Sequence, residues 1–238
     1  MADSSSLPVA AVLGVGPGLG AALARRFAEK YAVAINARRA SYLSSLATDI
    51  RASGGQVLEV PADIGDQAQV ETVFRTIREQ LGPPEVLLYN AGSGSWGTIT
   101  DVTPEQYETT WRVNAYGAFL SAKEVAPDMI AKGRGSMLFT GATAGVKAGA
   151  RSVAFGPAKF ALRGLVQSMA RDLGPKGIHV AWINVDGVID IPDRDIPGFK
   201  EEDMLKPEAI AETYWHLAHQ DASAWTTELE VRPFKEKF

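Results

Sequence analysis

A glycine-rich stretch near the start of the chain limits its fold more than any other feature. Gly14, Gly18 and Gly20 lie between the apolar run 9–13 and a helical pattern over 21–30. Glycine permits a tight turn and lets the backbone approach a ligand closely. The first N–H groups of a helix have no partner inside the helix, and phosphate often binds them. The stretch predicts a strand, a tight turn and a helix with a phosphate site; a turn that needs glycine only for its geometry is the alternative.

Strands and helices alternate along the rest of the chain. Short apolar runs predict strands over residues 9–13, 31–37, 57–60, 86–89, 136–140, 178–183 and 229–231. Helical patterns fill the intervals, with a break near Asn114 and a start near Ser152 for a strongly helical stretch. This order is typical of an α/β protein with a Rossmann-like, doubly wound parallel sheet, and we expect a single domain over residues 1–238. The irregular stretch 190–206, rich in proline and acidic residues, is a candidate substrate lid.

The candidate site lies at one edge of the predicted sheet. Ligands bind doubly wound sheets beyond the carboxyl ends of the strands. We therefore expect the glycine turn to meet the residues that follow the other strands, namely Arg38, Asp63, Asn90, Ala142 and Asp186.

Composition argues against several classes of function. A net charge of −4 gives no basic field for a phosphate backbone or anionic lipid, so neither nucleic acid nor membrane is expected as a partner. The absence of cysteine excludes disulfides, thiolate nucleophiles and cysteine–zinc sites, and the three histidines lack partners at ligand spacing, so no metal is predicted. No segment is long enough to span a membrane, and residues 1–6 lack the positive region of a secretory signal, which predicts a cytoplasmic protein.

Several motifs, taken together over nearly the full length, resemble the short-chain dehydrogenase/reductase (SDR) family. The glycine turn matches the family's T-G-x-x-x-G-x-G, with Leu13 in place of the threonine. Asp63 matches the acid that the family uses to bind adenine, and Asn-Ala-Gly at 90–92 matches its N-A-G loop. Asn114 and Lys159 match the asparagine and the lysine of its catalytic tetrad.

The resemblance implies a nicotinamide dinucleotide cofactor. The residues expected to bind it are Gly14, Gly16, Gly18, Leu19, Gly20, Arg38, Arg39, Asp63, Ile64, Asn90, Ala91, Gly92, Lys159, Gly187 and Ile189. An acid at the end of the second strand would bind a ribose 2′-hydroxyl and repel a 2′-phosphate. Arg38 and Arg39 stand there instead, and arginine pairs well with phosphate. NADP(H) is therefore favoured over NAD(H); the alternative is that both arginines only solvate the start of a helix.

The catalytic positions depart from the family. Its S-x12-Y-x3-K pattern, counted back from Lys159, puts Phe155 at the tyrosine and Ala142 at the serine. None of the six tyrosines has a lysine four residues later, so no shifted alignment restores the pattern. Loss of a positioned acid typically lowers the rate ~10²–10⁴-fold, and loss of an oxyanion donor ~10²–10³-fold. Carbonyl reduction by the family's usual mechanism is therefore expected to be badly impaired.

Two other residues are candidates to supply a proton. Thr143 follows the empty serine position, and Asp186 occupies the proline of the family's P-G motif. For Asp186 a solvated turn acid is the alternative interpretation. The candidate catalytic set is Lys159, Asn114, Thr143 and Asp186. The candidate substrate-pocket residues are Ala142, Phe155 and Trp96, with a packing plug as the alternative for Trp96.

Two main hypotheses follow. The first is an NADP(H)-dependent SDR-type oxidoreductase with a non-standard catalytic centre, acting on an unknown small molecule. The second is a nucleotide-binding SDR-like protein without redox turnover, in a binding or regulatory role, and a lyase or isomerase is a third. The resemblance also implies a homodimer or homotetramer, and the tail 232–238, with Phe234 and Phe238, is a candidate to dock on a neighbouring subunit.

Overall fold

A computed structural model describes residues 7–236 of the chain. The predictions that concern residues 1–6 and Phe238 lie outside the described residues. One parallel sheet holds seven strands in the order β3-β2-β1-β4-β5-β6-β7. Its strands are β1 (Val9–Leu13), β2 (Ala32–Asn36), β3 (Val57–Glu59), β4 (Val86–Tyr89), β5 (Gly135–Thr140), β6 (Ile178–Val185) and β7 (Glu228–Val231).

Seven α-helices connect these strands and cover both faces of the sheet. They are α1 (Leu19–Ala28), α2 (Ala40–Ala52), α3 (Gln67–Gln80), α4 (Pro104–Trp111), α5 (Gly117–Lys132), α6 (Phe155–Leu173) and α7 (Pro207–Ala218). Helices α1, α2 and α7 pack in one buried apolar cluster, and α3, α5 and α6 pack in the other. β1 and β2 are buried at every position, as expected for parallel strands with helices on both faces.

The predicted fold class, a doubly wound parallel sheet, is confirmed. Some boundaries differ from the prediction. The break expected near Asn114 is a π-helical segment, Arg112–Tyr116, which separates α4 from α5. α6 begins at Phe155 instead of Ser152, because Ser152 lies in the preceding turn, where its hydroxyl donates to the Gly149 carbonyl. Within residues 7–236, no helix is long and apolar enough to cross a membrane.

Candidate active site

The glycine turn joins the end of β1 to α1. Gly14 has a φ of 84°, and a Cβ built there would lie 2.3 Å from the Ala91 backbone. A Cβ on Gly20 would lie 2.7 Å from the Gly14 carbonyl oxygen. Gly18 is the N-cap of α1, and no side chain caps that end, so the first N–H groups of the helix have no side-chain acceptor. The turn therefore requires glycine for its geometry and also leaves helix N–H groups available to a ligand.

A cavity of about 630 Å³ opens beside this turn, where the chain order of the strands reverses between β1 and β4. We call it the first cavity. Ligands bind open α/β sheets at such a reversal. Many of the residues predicted to bind the cofactor line it, namely Gly14, Gly16, Arg38, Arg39, Asp63, Ile64, Asn90, Ala91 and Gly92.

Charged groups of both signs line the first cavity. Arg38 and Arg39 are exposed, and the Arg39 guanidinium lies 5.8 Å from the centre of the Tyr42 ring. The Asp63 carboxylate accepts a hydrogen bond from the Gly65 N–H at 2.9 Å, which holds the loop after β3 in place. The lining of the first cavity thus holds two arginines, the residue type that pairs best with phosphate, and one carboxylate.

Asn90 ties the glycine turn to the centre of the sheet. Its amide nitrogen donates to the Gly14 carbonyl at 2.9 Å, and its side-chain oxygen accepts from the Thr140 hydroxyl at 3.1 Å. Asn90 therefore fixes the backbone of the turn as well as lining the cavity.

Other predicted cofactor residues lie away from the first cavity. Leu19 buries its side chain in the core beside β1, and Gly20 packs against the turn itself. Gly18 faces the stretch after β6, since a Cβ there would lie 3.5 Å from Ile191. The remaining three, Lys159, Gly187 and Ile189, line a smaller space that is described below.

A second cavity of about 620 Å³ lies beyond the ends of β5 and β6. The three predicted substrate-pocket residues, Trp96, Ala142 and Phe155, line it together with Phe199. The ring centres of Trp96 and Phe155 are 5.0 Å apart. Trp96 is 63% exposed, which does not fit a packing plug. The wall contributed by these side chains is apolar and largely aromatic.

A smaller space of about 320 Å³, the connecting recess, adjoins both cavities. Gly92 lines the first cavity and the recess. Ala142 and Phe155 line the recess and the second cavity. Lys159 lines the recess, so it lies between the two larger spaces.

Lys159 is a buried cation. It is 4% exposed, its Nζ donates to the Thr140 carbonyl at 3.0 Å, and the same atom lies 5.6 Å from the centre of the Phe155 ring. No carboxylate within the described residues pairs with it. Burial lowers the pKa of Lys159 from 10.5 to about 8. The ammonium can therefore release a proton near neutral pH.

Asn114 lies in the π-helical segment, a type of helix distortion that is frequent at functional sites. Its amide nitrogen donates to the carbonyls of Ser93 and Thr110, at 2.7 and 2.8 Å. Its side-chain oxygen is buried and has no hydrogen-bond partner within residues 7–236. This oxygen lies 3.6 Å from the Cβ position of Gly92. A buried acceptor of this kind normally binds water or a ligand.

Thr143 and Asp186 are brought together with a third residue, Arg232. The Thr143 hydroxyl donates to one oxygen of the Asp186 carboxylate. The other oxygen accepts from Arg232 Nη2 at 2.6 Å. Asp186 is only 6% exposed, so its interpretation as a solvated turn acid is wrong, because this ion pair and the packing after β6 bury it. Sequence reasoning missed Arg232, since no motif marks the segment after β7.

The stretch 190–206 is closed at its base. The Asp190 N–H donates to the Leu205 carbonyl at 2.9 Å, and the Leu205 N–H donates to the Val188 carbonyl at 2.8 Å. Phe199, near the middle of the stretch, lines the second cavity. The stretch therefore forms a loop beside that cavity and reaches Gly18 at its start.

Comparisons with known proteins agree with this architecture. Residues 8–191 match the family model described as short chain dehydrogenase. A short-chain dehydrogenase/reductase of Hericium erinaceus is 36% identical over 180 residues, which cover 73% of this chain and 71% of that protein. The crystal structure of a short-chain dehydrogenase from Rhodopseudomonas palustris is 35% identical, with a TM-score of 0.84, covering 95% of this chain and 99% of that one. A metagenomic short-chain oxidoreductase in complex with NADP is 28% identical, with a TM-score of 0.84 and coverage of 98% and 100%.

A doubly wound parallel sheet with a glycine turn at its point of reversal is typical of dinucleotide-binding α/β proteins. The chain belongs to the short-chain dehydrogenase/reductase family. The family resemblance inferred from the motifs is thus confirmed.

Proposed function

We propose that this protein is an NADP(H)-dependent oxidoreductase with a non-standard catalytic centre, which moves a hydride between the nicotinamide and a small organic molecule. The observation that carries the proposal is the order of the three spaces. The connecting recess, with Lys159 in its wall, shares Gly92 with the first cavity and shares Ala142 and Phe155 with the second. Hydride transfer requires such a junction between a dinucleotide site and a substrate site.

The residues of the first cavity suit NADP(H). The uncapped N-terminus of α1 suits a pyrophosphate, and a Cβ on Gly16 would meet no atom within 4 Å, so the backbone there is open to a ligand. Arg38 and Arg39 suit a 2′-phosphate. The side-chain oxygen of Asn114 is buried, has no hydrogen-bond partner within residues 7–236, and lies next to Gly92, so it offers an acceptor to the cofactor. When bound, the cofactor supplies or accepts the hydride. The relative solved with NADP supports this assignment.

The proton is assigned to Lys159, because Phe155 and Ala142 carry no side-chain proton to donate. Of the two other candidate donors, the Thr143 hydroxyl already donates to Asp186, and the Asp186 carboxylate accepts from Thr143 and Arg232. In the direction of reduction, Lys159 Nζ gives a proton to the oxygen of the substrate, directly or through one water molecule, and becomes a neutral amine. Solvent then returns the proton. The lowered pKa of Lys159 makes both steps accessible near neutral pH.

Cofactor binding tests the first part of the proposal. NADPH and NADH affinities are measured by nucleotide fluorescence for the wild type and for the double variant Arg38→Gln/Arg39→Gln. We expect the double variant to lose about tenfold or more in NADPH affinity and little in NADH affinity, because charge-assisted bonds to phosphate are lost. Arg75→Gln, an exposed arginine on α3, is the matched control. Tighter NADH than NADPH binding in the wild type contradicts the preference, and binding of neither rejects the cofactor.

The alternative is a nucleotide-binding protein without redox turnover. The apolar side chains at Ala142 and Phe155 favour it. Single-turnover oxidation of bound NADPH, screened against small carbonyl compounds, separates the two hypotheses. Turnover in the wild type supports the oxidoreductase. If the wild type binds NADPH tightly without turnover, and turnover appears only in the double variant Ala142→Ser/Phe155→Tyr, the result supports the binding protein.

Further features of the proposal concern the surroundings of the site. We propose that the stretch 190–206 acts as a substrate lid, since Phe199 lines the second cavity. From the family resemblance we propose a homodimer or homotetramer, which sedimentation velocity tests. Location in the cytoplasm stays a prediction.

A further inference from the structure

Thr143 has a fixed hydrogen-bond direction. It follows β5, at the start of a short 3-10 helix that runs from Thr143 to Gly145, and it lines the second cavity. Its hydroxyl donates to Asp186, whose carboxylate is held from the other side by Arg232. Arg232 is in turn held by Glu230, which accepts from its Nε at 3.0 Å and from its Nη2 at 2.6 Å.

This chain of bonds decides which polarity Thr143 presents to a ligand. A hydroxyl has one proton and two acceptor lone pairs. An ionised carboxylate can only accept, and a guanidinium can only donate. Arg232 donates to the Asp186 carboxylate, which therefore remains an acceptor. The one hydroxyl proton of Thr143 is used in the hydrogen bond to Asp186. The oxygen of Thr143 is left to accept a hydrogen bond from whatever occupies the second cavity.

The walls of the second cavity limit the shape of that ligand. The rings of Trp96 and Phe155 have centres 5.0 Å apart and are tilted at 45° to each other, and Phe199 contributes a third aromatic side chain. Lys147, Arg151 and Glu236 add charged groups elsewhere in the lining. Ala142, beside Thr143, adds no polar group. An aromatic ligand gains from the aromatic part of this lining, since ring contacts add to the burial of apolar area.

We propose that the second cavity binds planar aromatic compounds that carry a hydroxyl group, and that this hydroxyl donates its proton to Thr143 Oγ1. Thr143 is then the residue that selects for a donor, while Asp186 and Arg232 are positioning residues that act through it. This inference rests on the proposed function, because it takes the second cavity as the substrate site.

A pair of probes tests the polarity. Calorimetric affinities are measured for 2-naphthol, which can donate, and for 2-methoxynaphthalene, which cannot, with the full chain at saturating NADP⁺ and again without it. We expect the wild type to prefer 2-naphthol about fivefold or more, as for one added hydrogen bond. Thr143→Val keeps the shape and is expected to bring the ratio close to one. Thr143→Ser keeps the hydroxyl and is expected to keep the preference.

Asp186→Asn gives the sharpest test. Arg232 would hold the oxygen of the new amide, so its NH₂ group would face Thr143 and donate to it. The Thr143 proton would then point into the cavity, where it favours an acceptor. We expect the preference for 2-naphthol to fall. The affinity for 2-acetonaphthone, which accepts through its carbonyl oxygen, should rise about fivefold.

The outcomes separate this inference from the proposed function. NADPH affinity and thermal melting are measured for every variant, so that a misfolded protein is recognised. The inference is overturned if the wild type binds 2-naphthol and 2-methoxynaphthalene equally well. It is also overturned if the ratio of these two affinities is unchanged in a folded Thr143→Val variant. In either case, NADPH binding by the wild type leaves the proposed function standing. A preference for 2-naphthol in a protein that binds neither NADPH nor NADH supports the inference and rejects the cofactor.

Discussion

The first and second cavities lie at the carboxyl edge of one sheet, yet they are made of different kinds of groups. The first has glycine backbone at its base and arginines at its rim. The second has three aromatic side chains, the Asp186 carboxylate that pairs with Arg232, and the charged side chains of Lys147, Arg151 and Glu236. The backbone at Gly14 is fixed by the fold, because a Cβ there would collide with the neighbouring loop at Ala91. Side chains that line a cavity can change without disturbing the strands that carry them, so chemistry can diverge on a constant fold.

Gly14→Ala should have the largest effect and tests the first half of this contrast. The added Cβ would lie 2.3 Å from the Ala91 backbone, and the positive φ adds strain. We expect the free energy of unfolding to fall by more than about 4 kcal/mol, or folding to fail. Chemical denaturation measures it.

Gly54→Ala is the matched control for that variant. Gly54 has a φ of 86°, close to that of Gly14, but a Cβ there meets nothing within 4 Å. It should lose only about 1–2 kcal/mol, the strain of a left-handed residue. Similar losses in both variants would mean that close packing of the turn does not determine its sequence.

The same contrast explains what the sequence could predict. The glycine turn, Asp63 and Asn90 each follow a strand, and parallel topology brings the ends of strands together, so their convergence was predictable. Phe155 and Ala142 were identified through their spacing from Lys159, and they line the same recess. Motif and topology suffice where the position in the chain fixes the position in space.

The partnership of Asp186 with Arg232 could not be predicted. The two residues are separated by β7 and α7, and they meet because β6 and β7 are neighbours in the sheet. Asp186 and Arg232 each come directly after the end of a strand, and their pairing depends on the directions of their side chains there. Hydrophobic periodicity does not encode those directions. The burial that follows from it changed the interpretation of Asp186 from a solvated acid to a fixed acceptor.

Lys159→Met tests whether the connecting recess retains chemistry. If Lys159 provides the proton, single-turnover hydride transfer should fall about 10²–10⁴-fold. Lys159→Arg keeps the positive charge but does not release a proton near neutral pH, so it should lose a similar amount. Turnover close to the wild-type rate in Lys159→Arg would assign Lys159 an electrostatic role only. In the wild type, reduction should slow as pH rises through about 8, because the neutral amine has no proton to give.

A further expected effect of Lys159 is on stability and depends on pH. The folded state holds the pKa of Lys159 at about 8, whereas the unfolded chain has the ordinary value of 10.5. Below pH 8 both states carry the proton, and folding must bury the ammonium. Between these two pH values the unfolded state binds more protons, so the free energy of unfolding should rise with pH, by up to about 3 kcal/mol.

Lys159→Met lacks this titration and serves as the reference for it. Urea denaturation at pH 7, 8, 9 and 10 compares the two proteins, and the other titrating groups cancel in the difference. The variant should be the more stable one at pH 7, since it buries no charge, and the advantage should shrink towards pH 10. Parallel curves would mean that Lys159 keeps an ordinary pKa in the folded protein, and the assignment of its proton to catalysis near neutral pH would then lose its physical basis.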